Sequence, residues 1–309
     1  MGSSSGWRSL ARSVWASAYI LLTATALFWA GNAIVARGAR EAVPPVALSF
    51  WRWALALLII LPFAWPHLRR DADRLRRQWR LTALLGVLGI GCFNTLLYWG
   101  LQSTTALNSM LLQAGQTGAI LLLAMVLFGE RAGAWKITGA VLALGGALVI
   151  ISGGNASVLL GLEFNRGDLL IALAVVLWAL YSVLLRRRPQ VHPLSFFAAT
   201  LIVGVAAIAP FYLVELAGGA RIVAGPESAL AIAYVAIFPS VLAYLCFNRG
   251  VELIGAAATG QYLNVMPVFG AILAVLFLGE RLQAFHFVGA ALIAAGIVLA
   301  RRREQTPGR

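Results

Sequence analysis

The sequence predicts an all-α membrane protein with ten transmembrane helices in two five-helix repeats of inverted topology. Hydrophobic residues make up 61% and charged residues 11% of its 309 residues, whereas soluble domains contain about 45–50% apolar and about 25% charged residues. Apolar runs of about 20 residues, enough for a transmembrane helix, recur along the whole chain. The sequence LFGER at 127–131 also returns as FLGER at 277–281, and such a long-range echo is typical of a duplicated structural unit.

The predicted spans follow one another through short connections, so no loop is long enough to hold a soluble domain. Prolines stand at or near span ends, as at Pro44, Pro45 and Pro193, where they punctuate helices. The first apolar run is too long for the core of a signal peptide and is interpreted as a retained span. The ten spans are predicted at 15–36, 45–65, 81–101, 106–128, 134–152, 167–186, 193–214, 228–248, 256–279 and 283–301. The first repeat covers 1–153, and the second, with a basic cytoplasmic tail, covers 154–309.

The distribution of arginine predicts that both termini lie in the cytoplasm. Cytoplasmic segments of membrane proteins are enriched in Lys and Arg, and most of the 24 such residues fall on the side of the N-terminus, notably in the runs 69–80, 186–188 and 301–309. Because each repeat holds five spans, an odd number, the second repeat enters the membrane from the opposite side. Inverted repeats of this kind recur in secondary transporters, where the substrate site lies near the midplane between the repeats.

Charge and cysteine content argue against several other classes of protein. The net charge of +13 does not indicate a nucleic-acid partner, because the arginines cluster at span ends, where they can contact anionic membrane lipid. Cys92 and Cys246 fall inside apolar runs, so neither a disulfide nor a metal site is predicted, and no cofactor is expected. The chain has no HExxH or GxSxG motif and no Asp or Cys/His pair at depth, so an intramembrane enzyme is not expected.

Polar and aromatic residues recur at matching places in the two repeats. Trp29 of the first span corresponds to Trp178 of the sixth, and the pair Asn94 and Tyr98 returns in reversed order in the eighth span. Polar side chains are costly in lipid and usually face the bundle interior, so these residues predict a central substrate cavity. Its predicted lining residues are Trp29, Asn32, Asn94, Tyr98, Gln113, Gln116, Trp178, Tyr181, Tyr244, Tyr262 and Asn264.

A wall of this composition suits a small zwitterion such as an amino acid. Aromatic faces attract an ammonium group, and amides can hydrogen-bond a carboxylate. The alternative is that Trp and Tyr mark the interfacial belts while the amides join neighbouring helices. Gating hinges are predicted at Pro239, Pro267 and Gly89, where Pro or Gly softens a span.

Ionisable residues are scarce inside the predicted spans. All Asp and Glu residues fall in loops or at span ends, so the usual intramembrane proton carrier is absent and downhill or exchange transport is expected. Glu130 and Glu280 either cap a turn beside their own Arg or are buried by a gate. Arg52, early in the second span, has three open alternatives: it reaches the outer interface, pairs with Glu41, or faces a substrate carboxylate.

Two repeats of five spans, each with Gly-Glu-Arg at the end of its fourth span, resemble the EamA-type branch of the drug/metabolite transporter superfamily. The resemblance covers nearly the whole chain, and the aromatic spans with FWRW around Arg52 are most similar to bacterial aromatic amino-acid exporters. It implies a basket-like ten-helix fold that exports amino acids, aromatic and other neutral ones, across the inner membrane by alternating access. Family members often carry Pro where this chain has Thr117, so the fourth and ninth spans are expected to bend differently.

Two other classes of function stay open at this point. An efflux carrier for lipophilic or cationic compounds, coupled to protons, would be expected to place an acidic residue in the cavity. A receptor or structural protein would show no solute flux. For the leading hypothesis the partners are small-molecule amino acids or related metabolites, and the expected assembly is a monomer.

Overall fold

The chain is helical throughout the part that the structure describes. The computed structural model describes residues 13–39, 41–130, 132–163, 165–278 and 281–301. Within these ranges the chain forms helices joined by short connections and no strand. Among the described residues, eight segments are long and apolar enough to cross a membrane. These findings confirm the prediction of an all-α, multi-span membrane protein.

The first half of the chain begins with long apolar helices. A short helix, Ala156–Leu160, lies in the connection to the second half. The helices of the first half are α1 (Ala18–Ala39), α2 (Pro45–Arg77), α3 (Trp79–Gly100), α4 (Ala106–Ala114 and Gln116–Phe128) and α5 (Ala134–Ile151).

The second half contains one helical stretch that is too long for a single crossing. Pro226–Phe277 has 52 residues, which would make about 78 Å of straight helix against about 30 Å of hydrocarbon. Gly255 interrupts it with φ 80° and ψ 164°, a conformation that favours glycine. We therefore divide it there. The helices of the second half are α6 (Arg166–Leu184), α7 (Pro193–Ala217), α8 (226–254), α9 (256–278) and α10 (Ala284–Arg301).

Irregular segments occur at equivalent positions of the two halves. In α3 a π-helical segment covers Val87–Cys92, and in α8 a second one covers Ala236–Leu242. In α4 the helix is interrupted at Gly115, and in α9 a 3-10 turn covers Leu263–Val265. Both helices are therefore interrupted at equivalent places, although α4 carries Thr117 where α9 carries Pro267.

In two pairs, α2–α7 and α5–α10, a helix of the first half packs antiparallel against the equivalent helix of the second half. At one end of the α2–α7 pair, Glu215 accepts hydrogen bonds from the backbone N–H groups of Val46 and Ala47 at 3.0 and 2.7 Å. At the other end, Asp71 accepts a bond from the N–H of His192 at 2.9 Å. The Glu215 carboxylate thus faces the N-terminus of α2, where a negative charge is favourable.

The α5–α10 pair is packed through glycine. A Cβ atom at Gly139 would lie 2.5 Å from the carbonyl oxygen of Gly296, and one at Gly146 would lie 2.5 Å from that of Gly289. Only glycine allows this backbone approach. Residue numbers rise from Gly139 to Gly146 in α5, while their contact partners in α10 fall from Gly296 to Gly289. The two helices are therefore antiparallel.

Apolar side chains cover both the centre and the outer surface. Trp53, Trp178, Phe196, Phe197 and Phe247 are fully buried between the helices of the two halves. Large apolar side chains point outward and form the surface that we expect to face lipid. Apolar side chains suit this surface because the bilayer core has no water to solvate polar groups. Examples are Leu58, Phe63, Val126, Val141, Leu169, Val214, Leu276 and Phe277.

Candidate functional site

The buried centre of the molecule contains the charged side chain of Arg52, which is 1% exposed. It lies about 10 Å along α2 from Pro45. Its Nε donates a hydrogen bond to Ser240 Oγ of α8 at 2.8 Å. Its Nη1 donates to Asn94 Oδ1 at 3.0 Å and to Tyr98 Oη at 2.7 Å, both in α3. We call these four residues the Arg52 cluster.

The contacts of Arg52 argue against two of its three alternatives, namely the outer interface and a pair with Glu41. The side chain does not reach the outer interface, because it is buried. Glu41 is exposed, and none of the three hydrogen bonds described for Arg52 goes to it. The guanidinium instead ties α2, α3 and α8 together through neutral oxygen atoms.

Seven aromatic side chains pack beside the Arg52 cluster. Trp29 of α1 lies 5.3 Å from Trp178 of α6, ring centre to ring centre, and 5.9 Å from Tyr244 of α8, both in edge-to-face geometry. Such contacts stabilise aromatic pairs beyond the area that they bury. We call the following residues the aromatic cluster: Trp29, Trp53, Phe93, Trp178, Tyr181, Tyr244 and Phe247.

The two clusters are continuous. The Cζ atom of Arg52 lies 4.7 Å from the centre of the Trp53 ring, and that ring lies 4.8 Å from the Tyr244 ring. On the other side, Tyr98 Oη donates to Asn32 Oδ1 at 3.4 Å. Asn32 is one helical turn from the aromatic cluster in α1. The molecule therefore places a cation, amides and aromatic faces in one buried region.

The aromatic cluster contains two buried donors without an acceptor. Within the described residues, neither Trp53 Nε1 nor Trp178 Nε1 has a hydrogen-bond partner. Leaving such a group unpaired costs about 1–3 kcal/mol, and an unpaired group in a buried site calls for an explanation. A polar ligand in this region could supply the missing acceptors.

The π-helical segments present their carbonyl groups to the aromatic cluster. Trp29 Nε1 donates to the carbonyl oxygen of Pro239 at 3.0 Å, and Tyr244 Oη donates to that of Gly89 at 2.5 Å. Gly89 and Pro239 are equivalent in the two repeats, so the arrangement follows the pseudo-symmetry. A Cβ at Gly89 would lie 2.6 Å from the ring of Tyr181. π-segments occur frequently at functional sites because they disturb regular helical bonding.

The interrupted helices α4 and α9 cross each other. Thr117 Oγ1 donates to the carbonyl oxygen of Gly260 at 3.0 Å, and Asn264 Nδ2 donates to Thr117 Oγ1 at 3.0 Å. Pro267 is the second residue of the α-helix that follows the 3-10 turn, where its missing N–H costs no helical bond. The hydroxyl of Thr117 thus joins the two repeats.

The remaining predicted lining residues lie along α4 and α9. Gln113 bonds to Ser109 within its own helix, and Gln116 is buried. Tyr262 Oη shares a 2.8 Å hydrogen bond with Thr23 Oγ1 of α1. In the described part of the chain these residues and Asn264 make no hydrogen bond or ring contact with the aromatic cluster.

Charged residues join the repeats at the end predicted to be cytoplasmic. Glu130 forms an ion pair with Arg186 at the C-terminal end of α6. Arg188 pairs with Glu252 at 2.8 Å within the second repeat. Glu130 therefore contacts the other repeat. Its own Arg131 and the second Glu280 lie outside the described residues.

A cavity of about 490 Å³ lies near the opposite end. It separates the C-terminal part of α1 from the N-terminal part of α8, with Val35, Ala42 and Glu227 among its lining residues. Tyr234 closes it on the inner side, with its hydroxyl against Gly31 of α1.

Sequence reasoning missed several members of the two clusters and one residue that contacts them. Asn248, which accepts a 2.8 Å bond from Tyr181 Oη, was visible as half of a repeated pair. Trp53 was visible in the motif around Arg52. Ser240 and Phe247 carried no signal in the sequence, because their role depends on which helices are neighbours.

Comparison with known proteins identifies the family. Residues 16–152 and 165–302 each match the model of the EamA-like transporter family. An uncharacterized transporter of Bacillus subtilis, YyaM, is 30% identical over 91% of this chain and 92% of its own length. A Streptantibioticus cattleyicolor protein named as a probable terminal-alkyne amino-acid exporter is 27% identical over 97% of this chain and 99% of its own.

A solved structure shows the same fold. It superposes with a TM-score of 0.78 at 22% identity and covers 94% of this chain and 99% of its own. The chain belongs to the EamA-like transporter family, within the drug/metabolite transporter superfamily. It is accordingly a multi-span membrane transporter, as the sequence resemblance implied.

Proposed function

We propose that this transporter exports amino acids, aromatic and other neutral ones, from the bacterial cytoplasm across the inner membrane. The observation that carries the proposal is the continuous buried region of aromatic rings, amides and Arg52 at the contact between the two repeats. Aromatic faces attract an ammonium group, and a guanidinium attracts a carboxylate. Such a region offers complementary groups for both ends of an amino acid. The printed name of the Streptantibioticus relative supports the same substrate class.

The proposed mechanism is alternating access between two inverted repeats of five spans, with both termini in the cytoplasm. The antiparallel pairs α2–α7 and α5–α10 support inversion, because a two-fold axis that relates them must run across the helices. The matching π-segments support exchange, since each repeat can adopt the conformation of the other. The predicted monomer is part of this proposal.

Counterflow in proteoliposomes tests the proposed function. Vesicles loaded with unlabelled phenylalanine, threonine or methionine should take up the same radiolabelled amino acid, with or without a pH gradient. Independence from the gradient is expected because the two clusters contain no carboxylate that could carry a proton. Protein-free vesicles are the control. Absence of amino-acid uptake above that control would reject the substrate class.

The runner-up function is efflux of lipophilic or cationic compounds coupled to protons. Against it stands the guanidinium of Arg52, which would repel a cation at short range. Uptake of a cationic dye that requires the pH gradient would favour it. That result would direct attention to Glu130, whose carboxylate pairs with Arg186.

Pro267→Ala is expected to slow turnover more than it weakens binding. Alanine lets the 3-10 turn Leu263–Val265 extend as regular helix, so the interruption of α9 becomes less marked. We expect the maximal counterflow rate to fall several-fold while the half-saturating concentration changes by less than about twofold. Pro210→Ala in α7 is the matched control, because its proline also lies within a helix. Unchanged turnover in Pro267→Ala would exclude a hinge there.

A further inference from the structure

Arg52 carries a buried charge that its protein partners do not neutralise. Within the described residues its hydrogen bonds go to a hydroxyl, an amide and a phenol, and no carboxylate pairs with it. Arginine keeps its charge at physiological pH. Charges buried in membrane proteins are rare and usually mark a substrate or ion pathway.

The hydrogen bonds of Arg52 leave one nitrogen available. A guanidinium has five N–H groups in a planar fork. Ser240 takes the one on Nε, and Asn94 and Tyr98 take the two on Nη1. Nη2 has no acceptor among the described residues, so its two N–H groups can bind a ligand.

A second donor without a partner lies beside the guanidinium. The ring of Trp53 is 4.7 Å from Arg52 Cζ, and its buried Nε1 has no acceptor in the described part of the chain. A carboxylate has two oxygens and about four acceptor positions. Once the side chains that cover these donors move apart, one carboxylate could accept from Nη2 of Arg52 and from the indole of Trp53 together.

We infer that Arg52 binds the carboxylate of the transported solute and makes a free carboxylate a requirement for recognition. The inference rests on the proposed function for the identity of the solute, but the anion site itself does not depend on it. The rest of an amino acid would then lie against Tyr244 and Trp29, which continue from Trp53 into the aromatic cluster. Amides, esters and decarboxylated amines of the same size should be poor substrates.

Competition on the wild-type protein tests the inference directly. Radiolabelled phenylalanine is bound to the purified protein, and three competitors are compared: 3-phenylpropionate, phenylalaninamide and 2-phenylethylamine. We expect 3-phenylpropionate to compete, and the other two, which lack a carboxylate, to be at least about tenfold weaker than phenylalanine. Equal competition by phenylalaninamide and phenylalanine would overturn the carboxylate site and leave amino-acid export intact.

A second experiment distinguishes failure of amino-acid export from failure of the carboxylate site. Direct binding of radiolabelled 3-phenylpropionate is measured in parallel. If it binds while phenylalanine does not, the anion site stands and amino-acid export fails. If neither compound binds, both proposals fall.

Variants then assign the preference to Arg52. In Arg52→Gln the ratio of phenylalanine to phenylalaninamide affinity should fall to about one, because neither ligand can form the ionic contact. Arg52→Lys, which keeps the charge, should retain part of the preference. A purely structural role would weaken both ligands equally and leave the ratio unchanged, which would overturn the assignment. Arg76→Gln, at an exposed position of α2, is the matched control and should keep the wild-type ratio.

Discussion

Trp178→Ala is expected to lower amino-acid counterflow by at least about tenfold. Trp178 is 1% exposed and touches five other members of the aromatic cluster. Its removal would take away an aromatic face on which the solute is proposed to lie, and buried aromatic anchors contribute strongly to binding. Initial counterflow rates of radiolabelled phenylalanine, normalised to folded protein, measure the effect.

A conservative variant separates binding from folding at this position. Truncation of a buried Trp to Ala costs about 3–5 kcal/mol of stability, so size-exclusion and thermal-unfolding profiles accompany the flux measurement. Trp178→Phe keeps an aromatic face and should retain an intermediate rate. Trp99→Ala, which removes an indole that is 50% exposed, should transport like the wild type. Wild-type flux in Trp178→Ala would remove the aromatic cluster from the transport site.

The prediction for Trp178 depends on its counterpart in the other repeat. Trp29 and Trp178 occupy equivalent positions and meet at 5.3 Å, so the contact joins the two repeats at the centre of the fold. Motion of one repeat against the other would change this contact. Under the proposed alternating access, the aromatic cluster would be both a wall for the solute and a contact that rearranges.

The all-α fold could be read from the sequence because it depends on local patterns. Apolar runs of about membrane length give helices wherever they occur. The paired interruptions at Gly115 and Val265 could not be read in the same way. In α4, Gly115 is followed by Gln116 and Thr117, and no Pro marks the interruption in the sequence. The interruption is accompanied by the hydrogen bond from Thr117 to Gly260 of α9.

The predicted site residues were located by helical spacing, which shows which side of a helix is polar but not which helix faces it. Trp29 and Tyr181 contact the aromatic cluster, whereas Gln113 bonds within its own helix. Arg52 illustrates the limit most clearly. Its partner Ser240 is 188 residues away in the chain, and only the packing of α2 against α8 brings the two together.

Gly146→Ala is expected to destabilise the protein, whereas Gly145→Ala is expected to stabilise it. Both glycines lie in α5, where Ala is intrinsically favoured over Gly by about 1 kcal/mol. At Gly145 a Cβ meets nothing within 4 Å, but at Gly146 it meets the carbonyl oxygen of Gly289 at 2.5 Å and Ile293 at 2.9 Å. Overpacking of this kind typically costs about 1–3 kcal/mol. Thermal unfolding in detergent should therefore shift in opposite directions for the two neighbours.

The contact between Gly146 and Gly289 also predicts the effect of a substitution in the second repeat. Gly289 is the counterpart of Gly139 in the second repeat, and a Cβ on it would lie 2.7 Å from the carbonyl oxygen of Gly146. Gly289→Ala should therefore be destabilising to a similar extent as Gly146→Ala. Because the two glycines touch, the double variant should deviate from additivity by about 0.5 kcal/mol or more. Additive losses, or a stabilising effect of Gly146→Ala, would show that α5 and α10 separate readily. The pair could then not serve as a rigid contact between the two halves of the chain.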